Sequence, residues 1–186
     1  WEKIRIQCAS GRRTGTGITA LGDTLAALGL KYDSDEAIEV SEKIYQTLKF
    51  ACYESSIDMA EELGPFPIHS SELDKNCEFF KRFETETLVV GTLKISGKAL
   101  MERMHRVGRR NIALLTTPPA GTVSIETQTS SGIEPVFLLV MFRKKKGQPG
   151  DENFRVDYVD ANGDSWMEFK VYHPKLKLWM EITGET

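Results

Sequence analysis

The stretch NIALLTTPPAGTVSIETQTSSGIEPVFLLVMF, residues 111 to 142, places two short apolar runs on either side of a segment rich in Pro, Gly, Ser and Thr. The first run, NIALLT at 111–116, predicts a buried strand of the kind that a parallel sheet covers on both faces. The second run, VFLLVMF at 136–142, predicts another, which leads into the basic residues 143–146. Two buried strands are therefore expected to frame the polar segment between them.

Helical patterns precede these strands. Residues 32–67, YDSDEAIEVSEKIYQTLKFACYESSIDMAEELGPFP, predict one long helix that Asp33 or Ser34 caps and that Gly64 and Pro65 end. Its apolar stripe is predicted to comprise Ile38, Ser41, Tyr45, Leu48, Cys52, Ser55 and Met59. Shorter helices are predicted at 17–28, 70–83 and 96–108.

The C-terminal part of the sequence has a different periodicity. FRVDYVDANGDSWMEFKVYH, 154–173, predicts two alternating strands around Asn162-Gly163, which is a β-hairpin signal. Long helices between buried strands, with this hairpin at the end, predict the α/β class.

The composition excludes several classes of protein. The 186 residues are 40% hydrophobic and 27% charged with a net charge of −3, as in soluble globular proteins. A weakly acidic chain is a poor match for duplex nucleic acid, and no apolar run is long enough to predict a membrane span. The chain begins at Trp1 without a signal peptide, and we expect it to be a piece of a longer protein.

The cysteines and histidines predict neither a disulfide framework nor a metal site. Cys8, Cys52 and Cys77 are odd in number and widely spaced, which favours a reducing, cytoplasmic location. Cys52 is expected in the core, and the other two are expected to be bystanders rather than nucleophiles. The three histidines lack metal-ligand spacing.

The glycine-rich stretch 11–20 invites comparison with a nucleotide-binding loop, because it contains Gly15-x-Gly17-x-x-Ala20. A dinucleotide fold requires an acid at the end of a second strand, whereas Asp33 and Asp35 stand at a helix start. The favoured interpretation is an entry into the first helix where glycines let backbones pack closely.

The polar segment after residue 116 fits an anion site better. Pro118-Pro119 stop the strand, Gly121 lets backbone approach a ligand, and Thr122, Ser124 and the N–H groups of a short following helix could converge on an anion. A Ser/Thr-rich turn that only caps its own helix explains the same residues. The pattern alone leaves both interpretations open.

Several motifs follow one another along the sequence. They are Gly11-Arg-Arg-Thr-Gly-Thr-Gly-Ile-Thr-Ala20, the Gly-Pro-Phe-Pro-Ile that ends the long helix, Gly108-Arg-Arg-Asn-Ile-Ala113, Pro119-Ala-Gly-Thr-Val-Ser124, Ser130-Ser-Gly-Ile-Glu-Pro-Val-Phe137 and the C-terminal Asp-Ser-Trp. In this order they resemble the catalytic domain of ribonucleotide reductases. The closest likeness is to the adenosylcobalamin-dependent class II enzymes, whose corresponding loop reads Pro-Thr-Gly-Thr-Ile-Ser.

This resemblance implies that residues 1–186 form one fragment of a ten-stranded α/β barrel made of two five-stranded halves. It implies a ribonucleotide substrate, adenosylcobalamin as the cofactor that generates a thiyl radical, and a thioredoxin-type reductant. It also implies which residues bind the substrate phosphates: Ala120, Gly121, Thr122, Val123 and Ser124.

The sequence departs from the family pattern in the loop and in the radical site. Ala120 stands where the family usually has Thr, and Pro118 where it usually has Ala. The family's finger loop, Asn-x-Cys-x-Glu, does not occur in the sequence, and neither do its last strand and redox tail. We therefore expect the chain alone to be inactive, and its cut sheet edges predict a homo-oligomer or aggregation. The alternatives are a non-catalytic phosphate-binding module and a purely structural piece.

Overall fold

The structure is a computed structural model that describes residues 1–136, 138–148 and 154–184. The chain divides into two compact units, residues 1–135 and 136–186. The elements of the first unit are α1 (Glu2–Gly11), α2 (Leu21–Ala27), α3 (Asp35–Leu63), α4 (Ser71–Asn76), α5 (Glu78–Glu84), β1 (Thr87–Val90), β2 (Leu93–Ser96), α6 (Gly97–Val107) and α7 (Gly121–Thr127). Those of the second are β3 (Val140–Lys146), β4 (Tyr158–Val159), β5 (Ser165–Tyr172) and α8 (Pro174–Thr183).

The long helix α3 has the predicted ends. The Ser34 hydroxyl accepts a hydrogen bond from the Ala37 N–H at 3.3 Å, which satisfies one of the free donors of the first turn. Gly64 ends the helix at a φ of 78°, a conformation that favours glycine. The predicted apolar stripe was wrong about the face along the whole helix, since Ile38, Ser55 and Met59 are exposed. The buried residues of α3 are Ala37, Phe50, Tyr53, Ser56, Ile57 and Ala60.

The face of α3 is chosen by the aromatic residues that pack on it. Phe50 and Tyr53 stand edge-on to Phe83 of α5, with ring centroids 4.7 and 5.3 Å away. Cys52 is half-buried beside this cluster and only partly in the core. The main core cluster comprises Phe50, Tyr53, Ile57, Phe80, Phe83, Leu88, Leu100, Met101, Met104 and Leu114.

Other helix predictions need correction at their ends. The helix at 17–28 is only α2, because Ala20 adopts a left-handed φ of 63° before it. The helix at 70–83 is two helices, α4 and α5, interrupted by extended backbone at Cys77. Ser96 caps α6 as predicted, through its hydroxyl and the Ala99 N–H. The elements that the sequence did not predict are α1, the antiparallel pair β1–β2 and α8.

Both strand predictions also need correction. Residues 111–116 form no regular strand but one parallel bridge, between Thr16 and Leu115. In the second apolar run, the strand begins only at Val140, extends through the basic residues to Lys146 and is largely exposed. It pairs antiparallel with β5 and not in a parallel sheet. Apolar composition does not distinguish these arrangements, because a buried strand and an exposed one can have the same letters. Phe137 lies outside the described residues.

The second unit is a three-stranded sheet in the order β3-β5-β4. β4 pairs with β5 over two positions, and the turn between them is organised by Asp160. Its carboxylate accepts from the N–H groups of Asn162 and Asp164 and from the Trp166 indole at 2.9–3.0 Å. These hydrogen bonds hold the pKa of Asp160 below its usual range, with the Trp166 bond the largest cause. The strands of the described ranges form no closed barrel.

None of the helices that the structure describes is long and apolar enough to cross a membrane.

Candidate functional site

The segment that leads into the candidate loop runs beside the glycine-rich stretch. The Thr16 N–H donates to the Leu114 carbonyl at 2.8 Å, and the Thr116 N–H donates to the Thr16 carbonyl at 3.0 Å. Gly17 is needed for this approach, because a Cβ there would lie 2.3 Å from the Thr116 carbonyl oxygen. Gly17 thus serves close backbone packing, as the favoured interpretation predicts, but the stretch lies between α1 and α2 and is not the entry into the first helix.

The candidate loop continues from Thr116 into α7. The Ala120 N–H donates to the Ser131 carbonyl at 2.7 Å, which anchors the start of the helix. No side chain of the described residues caps α7 at Ala120. By helix geometry, the N–H groups of the next three residues have no intrahelical acceptor. A Cβ at Gly121 would meet nothing within 4 Å, so this end of the helix is open.

The five predicted site residues lie together at this helix start but differ in exposure. Thr122 and Val123 are exposed, and Ala120 is half-buried. Ser124 is buried, and its hydroxyl donates to the Gly121 carbonyl at 2.9 Å. Because that bond uses the only hydroxyl hydrogen, Ser124 can donate to an anion only if its side chain turns away from Gly121.

After α7, the chain runs back beside the start of α2 and is hydrogen-bonded to it. The Ser130 N–H donates to Asp23 Oδ2 at 2.9 Å, and the Ala20 N–H donates to the Ser130 carbonyl at 3.1 Å. A Cβ at Gly22 would come within 2.5 Å of Pro135 Cα, so this packing also requires glycine. Sequence reasoning missed Asp23, and no local signal could reveal a partner 107 positions away.

A cleft of about 590 Å³ opens next to the loop. Tyr45 links the two, since its hydroxyl lies 3.5 Å from Thr117 Oγ1. An ion pair between Lys49 and Glu86, both mostly buried, crosses one wall of the cleft. The lining residues are Glu42, Tyr45, Gln46, Lys49, Arg82, Glu86 and Leu115.

Four clefts among the described residues do not fit a corrin ring by themselves. Their volumes are about 350–590 Å³, and the cleft of about 590 Å³ is lined mainly by charged and polar side chains. A large macrocycle needs a broad and mostly apolar cavity.

The three cysteines are separate and form no disulfide in the described part of the chain. Cys8 is exposed on α1, whereas Cys52 and Cys77 are half-buried against the main core. Within the ranges that the structure covers, no group of three His, Cys, Asp or Glu could hold a metal ion. At the start of α7, the chain presents backbone N–H groups that have no intrahelical acceptor.

Comparison with known proteins connects this loop to a family. The family described as "Ribonucleotide reductase, barrel domain" matches residues 1–162, which include the whole candidate loop. The chain belongs to the ribonucleotide reductase barrel-domain family. The coarse prediction of an α/β, reductase-type barrel fold is thereby confirmed.

Relatives of this reductase domain include two enzymes named vitamin B12-dependent ribonucleoside-diphosphate reductase. The Mycobacterium tuberculosis protein (strain CDC 1551 / Oshkosh) is 29% identical over 138 residues, 74% of this chain and 16% of the relative. The Thermoplasma acidophilum protein is 29% identical over 143 residues, 76% of this chain and 15% of the relative. A ribonucleoside-diphosphate reductase large chain from Encephalitozoon cuniculi is 32% identical over 130 residues, 67% of this chain and 16% of the relative. The chain thus spans 15–16% of the length of these relatives.

Proposed function

We propose that this chain is part of a vitamin B12-dependent ribonucleotide reductase and that residues 120–124 bind the phosphates of its ribonucleotide substrate. The observation that carries the proposal is the family match across residues 1–162, within which the loop opens into solvent at the start of α7. Three N–H groups there have no intrahelical acceptor and suit an anion, and Gly121 leaves room for it. The parent protein would convert ribonucleoside diphosphates to deoxyribonucleotides.

The remaining parts of this proposal concern the parent protein. Residues 1–186 would be one fragment of a ten-stranded barrel, with the antiparallel strands β4 and β5 as its C-terminal hairpin. Adenosylcobalamin would supply radical chemistry at residues outside those described here, and a thioredoxin-type protein would supply electrons. A cytoplasmic location and a homo-oligomer belong to the same proposal.

Binding can be tested on the 186-residue chain by NMR titration. Cytidine diphosphate should shift the amide signals of residues 119–124, pyrophosphate should shift the same signals, and cytidine should not. Thr122→Ala should weaken diphosphate binding by about ten-fold or more, the usual loss for a hydrogen bond to a charged group. Thr47→Ala is the matched control, because Thr47 is also exposed and, within the described ranges, its hydroxyl bonds only to the Lys43 carbonyl on α3.

Three results would contradict parts of the proposal. Shifts that appear elsewhere would remove the phosphate site from this loop, and an unchanged affinity of Thr122→Ala would remove the Thr122 hydroxyl from that site. Cobalamin-dependent formation of deoxynucleotides by the chain alone would contradict its expected inactivity, which rests on the lack of an Asn-x-Cys-x-Glu motif in the sequence.

A further inference from the structure

Two Gly-Arg-Arg motifs, at 11–13 and 108–110, converge on the turn 64–67 that follows α3. One arginine side chain from each motif donates to backbone carbonyls at the end of the helix and in the turn, which satisfies acceptors that α3 leaves without intrahelical donors. The donor–acceptor pairs are Arg12 Nη1 with the carbonyl of Pro65 at 3.1 Å, and Arg110 Nη1 with those of Leu63 and Gly64 at 2.8 and 2.9 Å.

The middle residue of the second motif, Arg109, is buried and paired with a carboxylate. Its Nη1 lies 2.6 Å from Asp74 Oδ2, and its Nε donates to the Asn111 carbonyl at 3.2 Å. The guanidinium carbon stands 4.8 Å from the centre of the Phe80 ring. His69 Nε2 lies 3.0 Å from the same oxygen of Asp74. Because a buried charge without its partners is strongly destabilising, these contacts hold the backbone of Arg109 in place.

A second buried contact joins α3 to the same segment. Ser56 is fully buried, and its hydroxyl donates to Asn111 Oδ1 at 2.9 Å. The same hydroxyl oxygen accepts from the N–H groups of Arg110 and Asn111 at 3.1 and 3.2 Å. The Asn111 amide then donates to the Arg12 carbonyl at 2.9 Å, which links the residue after the second motif to the first motif.

We propose that Arg109, Asp74, Asn111 and Ser56 are positioning residues for the phosphate loop. They anchor residues 109–111, and the chain then runs straight along the glycine-rich stretch to Thr116, where the loop begins. These residues would act without contacting the phosphate. They set the register in which residues 112–116 lie against residues 12–16. The inference deepens the proposed function and rests on it for the identity of the ligand.

The test uses Arg109→Lys in the 186-residue chain, because lysine keeps the charge but loses the two-sided hydrogen bonding of the guanidinium. We expect faster hydrogen exchange at the Thr16 and Thr116 amides, which bond across the parallel bridge. Affinity for cytidine diphosphate should fall by about ten- to a hundred-fold, the size of effect that follows a small misplacement of binding groups. Arg103→Lys is the matched control, because Arg103 also pairs with carboxylates but only between α3 and α6. It should change neither readout.

Ser56→Ala is the second variant, and it decides the matter if Arg109→Lys does not fold. Folded variants with unchanged exchange at Thr16 and Thr116 and unchanged affinity would overturn the positioning role. If the unsubstituted chain binds no diphosphate, the proposed function fails. The hydrogen-exchange rates at Thr16 and Thr116 then test by themselves whether these residues position the loop. Faster exchange supports it in that case, and unchanged exchange refutes it.

Discussion

Gly17→Ala should destabilise the fold at the entry to the candidate loop. The new methyl carbon would lie 2.3 Å from the Thr116 carbonyl oxygen, well inside van der Waals contact. The obstacle is backbone, so no side-chain rotation can relieve the contact. The two segments must therefore separate, and the hydrogen bonds that cross between Thr16 and residues 114 and 116 lengthen or break.

The expected loss can be worked out from these contacts. Two weakened backbone hydrogen bonds contribute about 1 kcal/mol each, and overpacking adds about 1–3 kcal/mol. Since part of each term is relieved by the other, the free energy of unfolding should fall by roughly 2–4 kcal/mol. At about 2–4 °C per kcal/mol for a chain of this size, Tm falls by roughly 4–16 °C.

Thermal and urea unfolding, followed by far-UV circular dichroism, measure this loss. The control is Gly121→Ala, where a Cβ would meet nothing within 4 Å, so stability should stay within about 0.5 kcal/mol of the unsubstituted chain. The reasoning is refuted if Gly17→Ala unfolds as late as Gly121→Ala, because the glycine would then not be required by the close approach.

Two further predictions concern titration. Burial raises the pKa of Tyr53 to about 12, against about 10 in an unfolded chain. Because only the unfolded form ionises between these values, the free energy of unfolding should fall as pH rises from about 10 to about 12. Tyr53→Phe should remove both that loss and the latest phase of the ultraviolet tyrosine titration. Arg103 hydrogen-bonds to Glu61 and so holds the pKa of that carboxyl below its usual range; this stabilisation is present above the unfolded pKa of about 4.3 and is lost as pH falls through the folded pKa. Arg103→Ala should therefore lower Tm at pH 7, and its difference from the unsubstituted chain should shrink on acidification; a difference independent of pH would contradict the ion pair.

The ends of α3 could be predicted because capping is local. Ser34 and Gly64 act on residues within a few positions, so the letters around them contain the whole signal. The buried face could not be predicted, since it depends on where α2, α5 and α6 place their side chains. Helical spacing is compatible with either Ile38 or Ala37 facing the core, and the packing partners determine that Ala37 is the buried one.

The candidate site shows the same division between local and distant information. Residues 120–124 are contiguous, so a motif could point to them, and the structure does place them together at one helix start. The residues that support them could not be paired from the sequence. Asp74 and Arg109 are 35 positions apart, and no sequence pattern around either residue predicts that they pair.

The bridge between Thr16 and Leu115 has a consequence for how the chain folds. It closes a loop of almost a hundred residues, and the contact between Asp23 and Ser130 closes a longer one. Closing such loops costs chain entropy before any contact forms that could offset the loss. By contrast, α3 can form from contacts between residues that are close in sequence. We therefore expect the loop to take shape late, after the helices have assembled, and during synthesis not before Ser130 has left the ribosome. Substitutions at Thr16 or Asp23 should then speed unfolding more than they slow folding.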